Sequence, residues 1–361
     1  TATAISMPSI ARRSGLFSAA SAKRGLSVTA RISRPRSRVS TKIRASSGIA
    51  VRGSFGSEPH DASANTRVKS RTASFRSFRP TRFANSASGP KQLFVLRFFA
   101  MSDSVFARDI LQGKVAFVTG GGTGITGGIA RAMAEHGARV AITSRKEENL
   151  AAMKTLIEEG GGECFAVAAD VRDYDAVQNA IAKTVEHFGR IDIVVNGAAG
   201  NFLCAAEQLS ANGFGTVVDI DTKGTFNVCR AAFEELKKTQ GQILNISATL
   251  HYLATPMQIH VSAAKAGVDA ITRNLSVEWG RHGIRVNGIA PGPIEDTEGM
   301  KRLLPEPLKE KITKKIPVGR FGRIRDIENA ALFLTSDAAS YVNGVTLVVD
   351  GGQWLLGTSL G

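Results

Sequence analysis

Lys265 closes the stretch "QIHVSAAK", residues 258 to 265, and the chain runs on as "AGVDAITRNLSVEWG". The spacing predicts a mostly buried helix, on which an ammonium group needs a partner. One helical turn earlier stands Val261, which can neither donate nor accept a proton. A second ionisable group meets the same problem. In "VVDIDTKGTFNV", helical spacing sets Asp221 on one face with Phe214, Val217, Thr225 and Val228, whereas Asp219 has Lys223 four residues on, as on a solvated face. A carboxyl group among apolar side chains costs free energy unless it is paired or protonated. Asp221 and Lys265 are therefore the candidates for moving protons. His260 stands alone beside a helix and is read as a packing residue.

The other chemistry written in the chain is nucleotide binding. "VTGGGTGITGGIARAMAEHG" puts Gly120, Gly121, Gly122, Thr123, Gly124, Ile125 and Thr126 between a strand and an amphipathic helix. Such a loop lets backbone N–H groups approach a pyrophosphate at the positive end of the helix. Thr126 stands where a third glycine is expected, with Gly127 just behind it, so the packing there must differ. The next strand ends "AITSRKEENL", and Ser144 and Arg145 offer a hydroxyl and a bidentate cation where an acid would take a ribose 2′-hydroxyl. That favours a 2′-phosphate, hence NADPH. In "VAADVRD", Asp170 can accept from an adenine amino group and Val171 can cover the ring. "VVNGAAGNF" leaves Asn196, Gly197, Ala198, Ala199 and Gly200 without bulk, so that backbone passes under a cofactor at a topological switch point. "IAPGPIEDTEGMKR" adds a rigid turn and a polar loop, with Pro291, Gly292, Pro293, Ile294 and Thr297, of a length that folds over a nicotinamide.

These residues need a scaffold, and the chain supplies one from Met101 onward. Strands are expected at 114–119, 139–143, 164–169, 191–196, 242–247, 284–290 and 345–350, and helices near 125–136, 147–159, 174–188, 212–239, 258–282 and 325–335. Strict alternation predicts an α/β fold: one Rossmann-like, doubly wound parallel sheet of about seven strands with helices on both faces. Residues 101–361 then form a single NADP-binding domain. Residues 1–100 hold 19 of the 46 Lys and Arg but only Glu58 and Asp61 as acids, so the net charge of +15 belongs to this segment. The basic pI is thus no evidence for a nucleic-acid-binding body. The segment is rich in Arg, Ser and Ala without apolar periodicity, and disorder is expected. Two readings of it stand: a basic organelle leader, or sequence upstream of a native start at Met101. No window of about 18 uncharged apolar residues suggests a membrane span. Cys164, Cys204 and Cys229 lack metal-ligand spacing, as do the six histidines, and are read as free thiols.

Taken together, residues 110 to 356 resemble the short-chain dehydrogenase/reductase superfamily. "NGAAGNFL", "DIDTKGTFNV", "ISATL", "AKAGVDA", "EWG", "PGPI" and "DGGQWL" resemble its 2,4-dienoyl-CoA reductases, particularly the peroxisomal type. The superfamily uses a Tyr-x-x-x-Lys pair helped by a serine about thirteen residues earlier; here those positions hold Val261 and Ala248. Carbonyl reduction, which must protonate a carbinol oxygen, is thereby disfavoured. The resemblance implies that NADPH reduces a 2,4-dienoyl-CoA to a 3-enoyl-CoA in the β-oxidation of unsaturated fatty acids. It further implies that Asp221 supplies the proton through water held with Lys265, which also bonds the nicotinamide ribose. Phe202, Ser210, Ala211 and Asn212 are candidates to border the acyl chain, and Arg145, Arg172 and Arg302 to meet the phosphates of coenzyme A. A homotetramer is expected, with a peroxisomal location, or the mitochondrial matrix if the leader is authentic; the sequence ends "LLGTSLG" rather than in a Ser-Lys-Leu-type address. Other reductases of acyl-CoA or ketoacyl substrates, and an inactive NADPH-binding scaffold, are the competing readings.

Overall fold

A computed structural model describes residues 104–295, 297, 299–300 and 306–356. β1 (Val115–Thr119), β2 (Arg139–Ser144), β3 (Glu163–Ala168), β4 (Ile193–Asn196), β5 (Gln242–Ile246), β6 (Arg285–Pro291) and β7 (Thr346–Val349) pair in the order β3-β2-β1-β4-β5-β6-β7. Every pairing is parallel. All seven strands lie where the β-branched runs predict them. The order reverses between β1 and β4, which opens a crevice at their carboxyl ends.

Helices cover both faces because each strand is apolar on both. Ala116 and Val118 of β1, Val140 and Ile142 of β2, and Ile193 and Val195 of β4 pack under α1 (Gly124–Glu135) and α9 (Ile324–Thr335) through Ile129, Met133, Ile327 and Leu332. The alternate residues Val115, Phe117, Ala141 and Val194 meet α3 (Tyr174–Phe188), α5 (Gly224–Thr239) and α7 (Ile259–Gly280) through Val177, Ile181, Val228, Leu236 and Leu275. Period-two alternation thus sorts one strand into two cores, and each fully buried Ile, Leu or Phe contributes roughly 1.5–3 kcal/mol of transfer free energy. Among the remaining elements are α2 (Glu147–Glu159), α4 (Ala211–Val218), α6 (Leu250–Leu253) and α8 (Glu306–Thr313). The short α6 and α8 were not expected from periodicity, since neither is long enough to show one.

One expected helix differs instructively. The segment read as a single helix over 212–239 is α4, then a π turn at Asp219–Lys223, then α5. The wide turn rotates the face on which Asp221 sits. Val217, Thr225 and Val228 are buried with it, whereas Phe214 is left 36% exposed. Thr225 Oγ1 donates to the Asp221 carbonyl at 2.6 Å, and Thr222 Oγ1 donates to Ala264 O at 2.8 Å, so hydroxyls bind carbonyls in and beside the turn.

The cysteines are free; Cys164 and Cys229 are buried, and burial pushes both thiols up to about 12. No helix among the described residues is long and apolar enough to cross a membrane. Residues 1–100, read above as a segment apart, lie outside the described residues. The first fully buried core side chain described is Leu111. A chain beginning at Met101 is therefore expected to fold and turn over like the full chain. Loss of melting temperature or activity on that truncation would place residues 1–100 in the fold.

Candidate active site

A cavity of about 650 Å³ opens at the carboxyl ends of the strands, beside the β1/β4 switch point. Gly120, Gly122, Thr123, Gly124, Ile125 and Thr126 form one wall, and Ser144 and Arg145 stand at the end of β2. Asp170 and Val171 follow β3, Ala198 follows β4, and Pro291, Gly292, Pro293, Ile294 and Thr297 close the far side. The glycines are needed for approach as much as for flexibility. A Cβ on Gly120, at φ +68°, would stand 2.9 Å from Gly197 O, and one on Gly122 would stand 3.0 Å from Asn149 Cβ. A glycine cradle at the start of α1, with basic groups at the end of β2, fits a dinucleotide whose pyrophosphate lies on the helix terminus.

Other expected contacts fall elsewhere. Gly121 packs against Ile142 rather than lining the cavity. Asn196 is turned inward, where its Nδ2 donates to Asn245 Oδ1 at 2.9 Å; Asn245 donates in turn to Thr272 Oγ1 at 2.8 Å. This buried polar chain joins β4, β5 and α7 and takes the Asn196 amide away from any cofactor. Arg172 is engaged by Asp170, with Nη2 to Oδ2 at 2.5 Å and Nε to Oδ1 at 3.0 Å. The Arg172 guanidinium holds the Asp170 carboxyl below the usual range. Its first partner is thus an aspartate and not a phosphate. Ser210 caps α4 by accepting from Gly213 N at 3.0 Å, Ala211 and Asn212 are exposed, and Phe202 stacks on His260 with ring centroids 4.3 Å apart. None of these four residues lines the main cavity. Arg302 lies outside the described residues. Both ring nitrogens of the fully buried His260 lack a hydrogen-bond partner.

Asp221 and Lys265 are brought together. Lys265 Nζ lies 3.0 Å from Asp221 Oδ2 and donates to Ile246 O at 2.9 Å. Asp221 is fully buried, and its Oδ1 accepts from Gly200 N at 2.7 Å. Its Oδ2 is within ion-pair distance of the ammonium but has no partner on a hydrogen-bonding axis. Lys265 lines the cavity whereas Asp221 sits behind it, so the ammonium connects the buried carboxyl group to the cavity. Val261 packs with Val217 and Ala264 in a small apolar cluster, and Ala248 lines the cavity without a hydroxyl.

Sequence reading missed several wall residues: Lys146 next to Arg145, Ser247, Leu250, Leu253, Met300 and Gln353. Lys146 was visible as a second cation in "SRKEE", and Gln353 stands in the quoted "DGGQWL", but neither had been given a role. It also missed Asp269, one turn after Lys265. Asp269 Oδ2 accepts from Tyr252 Oη at 2.5 Å and meets His251 Nε2 at 2.9 Å, tying α6 to α7. Burial pushes this carboxyl up, but hydrogen bonds from His251 and Tyr252 outweigh it and hold the group below the ordinary range. A depressed carboxylate stabilises the fold above its unfolded pKa, about 3.9, and that contribution is lost as pH falls toward the folded value. Asp269→Asn is therefore expected to flatten the loss of melting temperature between neutral pH and pH values below about 4. An unchanged acid slope would contradict this.

Residues 120–353 match the family model described as enoyl-(acyl carrier protein) reductase. The chain belongs to the short-chain dehydrogenase/reductase family. As a member it is an oxidoreductase that uses a nicotinamide cofactor and a small-molecule substrate. A peroxisomal 2,4-dienoyl-CoA reductase, (3E)-enoyl-CoA-producing, from Arabidopsis thaliana is 49% identical over 263 residues, 70% of this chain and 88% of that one. The corresponding Saccharomyces cerevisiae protein is 50% identical over 70% of this chain and 88% of its own length. Among solved structures, a short chain dehydrogenase from Bacillus anthracis has a TM-score of 0.63 at 43% identity, covering 69% of this chain and 99% of the other. Against that short-chain dehydrogenase/reductase background, the valine and alanine at 261 and 248 are what set this site apart.

Proposed function

We infer that the protein reduces 2,4-dienoyl-CoA thioesters to 3-enoyl-CoA with NADPH. One observation carries the reading: the positions of the family's tyrosine and serine hold Val261 and Ala248, while a buried Asp221 pairs with Lys265 at 3.0 Å. A carbinol oxygen has no acid here. A dienoyl thioester needs none, because the proton goes to carbon. The relatives named above support the same substrate.

Bound NADPH supplies the hydride, which the chemistry of a conjugated dienoyl thioester directs to the δ carbon. The chain's residues do the rest. Ser144, Arg145 and Lys146 face the 2′-phosphate, Asp170 and Val171 the adenine, and the loop from Gly120 to Thr126 the pyrophosphate. Lys265 holds the nicotinamide ribose and, with Asp221, orders the water that protonates the α carbon. Pro293 and Ile294 hold the nicotinamide end, and Leu250 and Leu253 exclude water from the acyl side. Arg302 meets phosphates of coenzyme A, and Phe202 with Ser210, Ala211 and Asn212 border the outer acyl chain. A homotetramer is the proposed assembly, by likeness to the family. The peroxisome is the proposed location, by likeness to the plant and yeast enzymes.

The test is the loss of NADPH absorbance with a 2,4-dienoyl-CoA and with a 3-ketoacyl-CoA at matched concentrations. Oxidation with the dienoyl substrate alone is expected. Preference for the ketoacyl substrate would return the protein to carbonyl chemistry, and no oxidation with either would leave a cofactor-binding scaffold.

A further inference from the structure

Thr126 departs from the glycine expected at its position, and the proposed function gives that departure no role. Its side chain is buried, at 6% exposure, inside the first turn of α1. The hydroxyl donates to Gly120 O at 2.7 Å. The methyl group faces Gly197, at the start of the loop after β4: a Cβ on Gly197 would overlap Thr126 Cγ2 outright and would stand 3.0 Å from Thr126 Cβ. The bulk missing at 197 is therefore supplied from 126. Gly197 has no positive φ, so a side chain is excluded there by space and not by backbone conformation.

Both loops converge at this contact. Thr119 Oγ1 accepts from Gly197 N at 3.0 Å and Ala198 N at 3.2 Å, and Gly120 lies directly against the Gly197 carbonyl. Three residues beyond Gly197, Gly200 N donates to Asp221 Oδ1 at 2.7 Å. We propose that Thr126 is a positioning residue: its hydroxyl sets the glycine loop, its methyl locks that loop against Gly197, and the lock fixes the Gly200 N–H that orients Asp221. A close-packed contact transmits displacement because interiors have little free volume. A glycine at 126 would leave the β4 loop unsupported, and a side chain at 197 would push it away from β1. The two residues are thus a complementary pair, each acceptable only with the other. The inference rests on the nicotinamide-cofactor part of the reading above and adds to it a mechanical link between cofactor loop and acid.

The test compares full-length variants by NADPH dissociation constant, from nucleotide fluorescence, and by single-turnover rate with 2,4-dienoyl-CoA at saturating NADPH. Gly197→Ala alone is expected to weaken binding and slow the saturated rate by about 10-fold or more each, as for an overpacked site. Gly197→Ala combined with Thr126→Gly should recover both to within a few-fold, the remainder reflecting Thr119 O, 3.2 Å from the added Cβ. Thr126→Val keeps the methyl but loses the hydroxyl, and should weaken binding by about 3-fold to 10-fold with the fold intact. Purely structural damage would lower melting temperature without changing the rate per folded, NADPH-saturated molecule. If Gly197→Ala does not fold, recovery of a folded, cofactor-binding double variant supports the lock, and failure of both overturns it. Wild-type behaviour of Gly197→Ala, or a double variant no better than the product of the single effects, also overturns it. A wild-type chain that shows this order of NADPH affinities but leaves 2,4-dienoyl-CoA unreduced would support the lock and overturn the substrate reading.

Discussion

Asp221→Asn is expected to fold and still bind NADPH, yet lose turnover at saturating NADPH by about 10²-fold to 10⁴-fold, the usual contribution of a positioned acid. The amide matches the carboxyl group in shape. It cannot match it in hydrogen bonding, because Oδ1 accepts from Gly200 N and Oδ2 faces the Lys265 ammonium, so either orientation of the amide sets donor against donor. The rate is to be read as single-turnover hydride transfer at saturating NADPH, which removes any binding defect. Wild-type rates there would reduce Asp221 to a structural carboxyl group. Lys265→Met should behave differently and damage NADPH binding as well, since Lys265 lines the cavity. Val261→Tyr restores the family's pattern but should not rescue Asp221→Asn. Val261 is 3% exposed and packs on Val217 and Ala264, and forcing an aromatic ring into such a site costs about 1–3 kcal/mol.

Arg145→Ala is the second large effect, expected to weaken NADPH binding by roughly 10-fold to 100-fold while barely changing NADH. A hydrogen bond to a charged group is worth about 1.5–3 kcal/mol, which converts to that range. Arg145 is exposed at the end of β2 and on the cavity wall, so its removal leaves no buried charge unpaired and the fold should not respond. Lys146, beside it on the same wall, sets a limit: it retains part of the preference for a 2′-phosphate. Equal losses for both cofactors, measured by fluorescence titration, would remove the assignment.

What was legible in the sequence was what depends on local pattern. Apolar alternation in "KVAFVT" and "IDIVVN" placed the strands, and the order of strands and helices implied the doubly wound sheet. The glycine loop could be read because a strand precedes it and a helix follows it. What escaped reading depends on contacts between distant segments. The inward turn of Asn196 requires Asn245, forty-nine residues on. A local exception is the pair Asp170 and Arg172, which were read as contacts to adenine and to coenzyme A although they stand two residues apart and bond each other. The π turn that carries Asp221 has no periodicity of its own, since one wide turn only offsets the helical phase on either side of it. Asp269 was passed over because its partners His251 and Tyr252 come from a helix of four residues, too short for a pattern. Thr126 was noticed as a departure, but its meaning lies in Gly197, which only the fold brings beside it.

The claim that matters most is that this site protonates carbon without a tyrosine, and turnover of a 2,4-dienoyl-CoA with NADPH in deuterated water tests it most directly. The account predicts one solvent deuterium in the 3-enoyl-CoA product, at the α carbon, with its rate of incorporation falling in Asp221→Asn as steeply as turnover does. Deuterium at another carbon, a product with its double bond next to the thioester, or incorporation at the full rate in Asp221→Asn would contradict it.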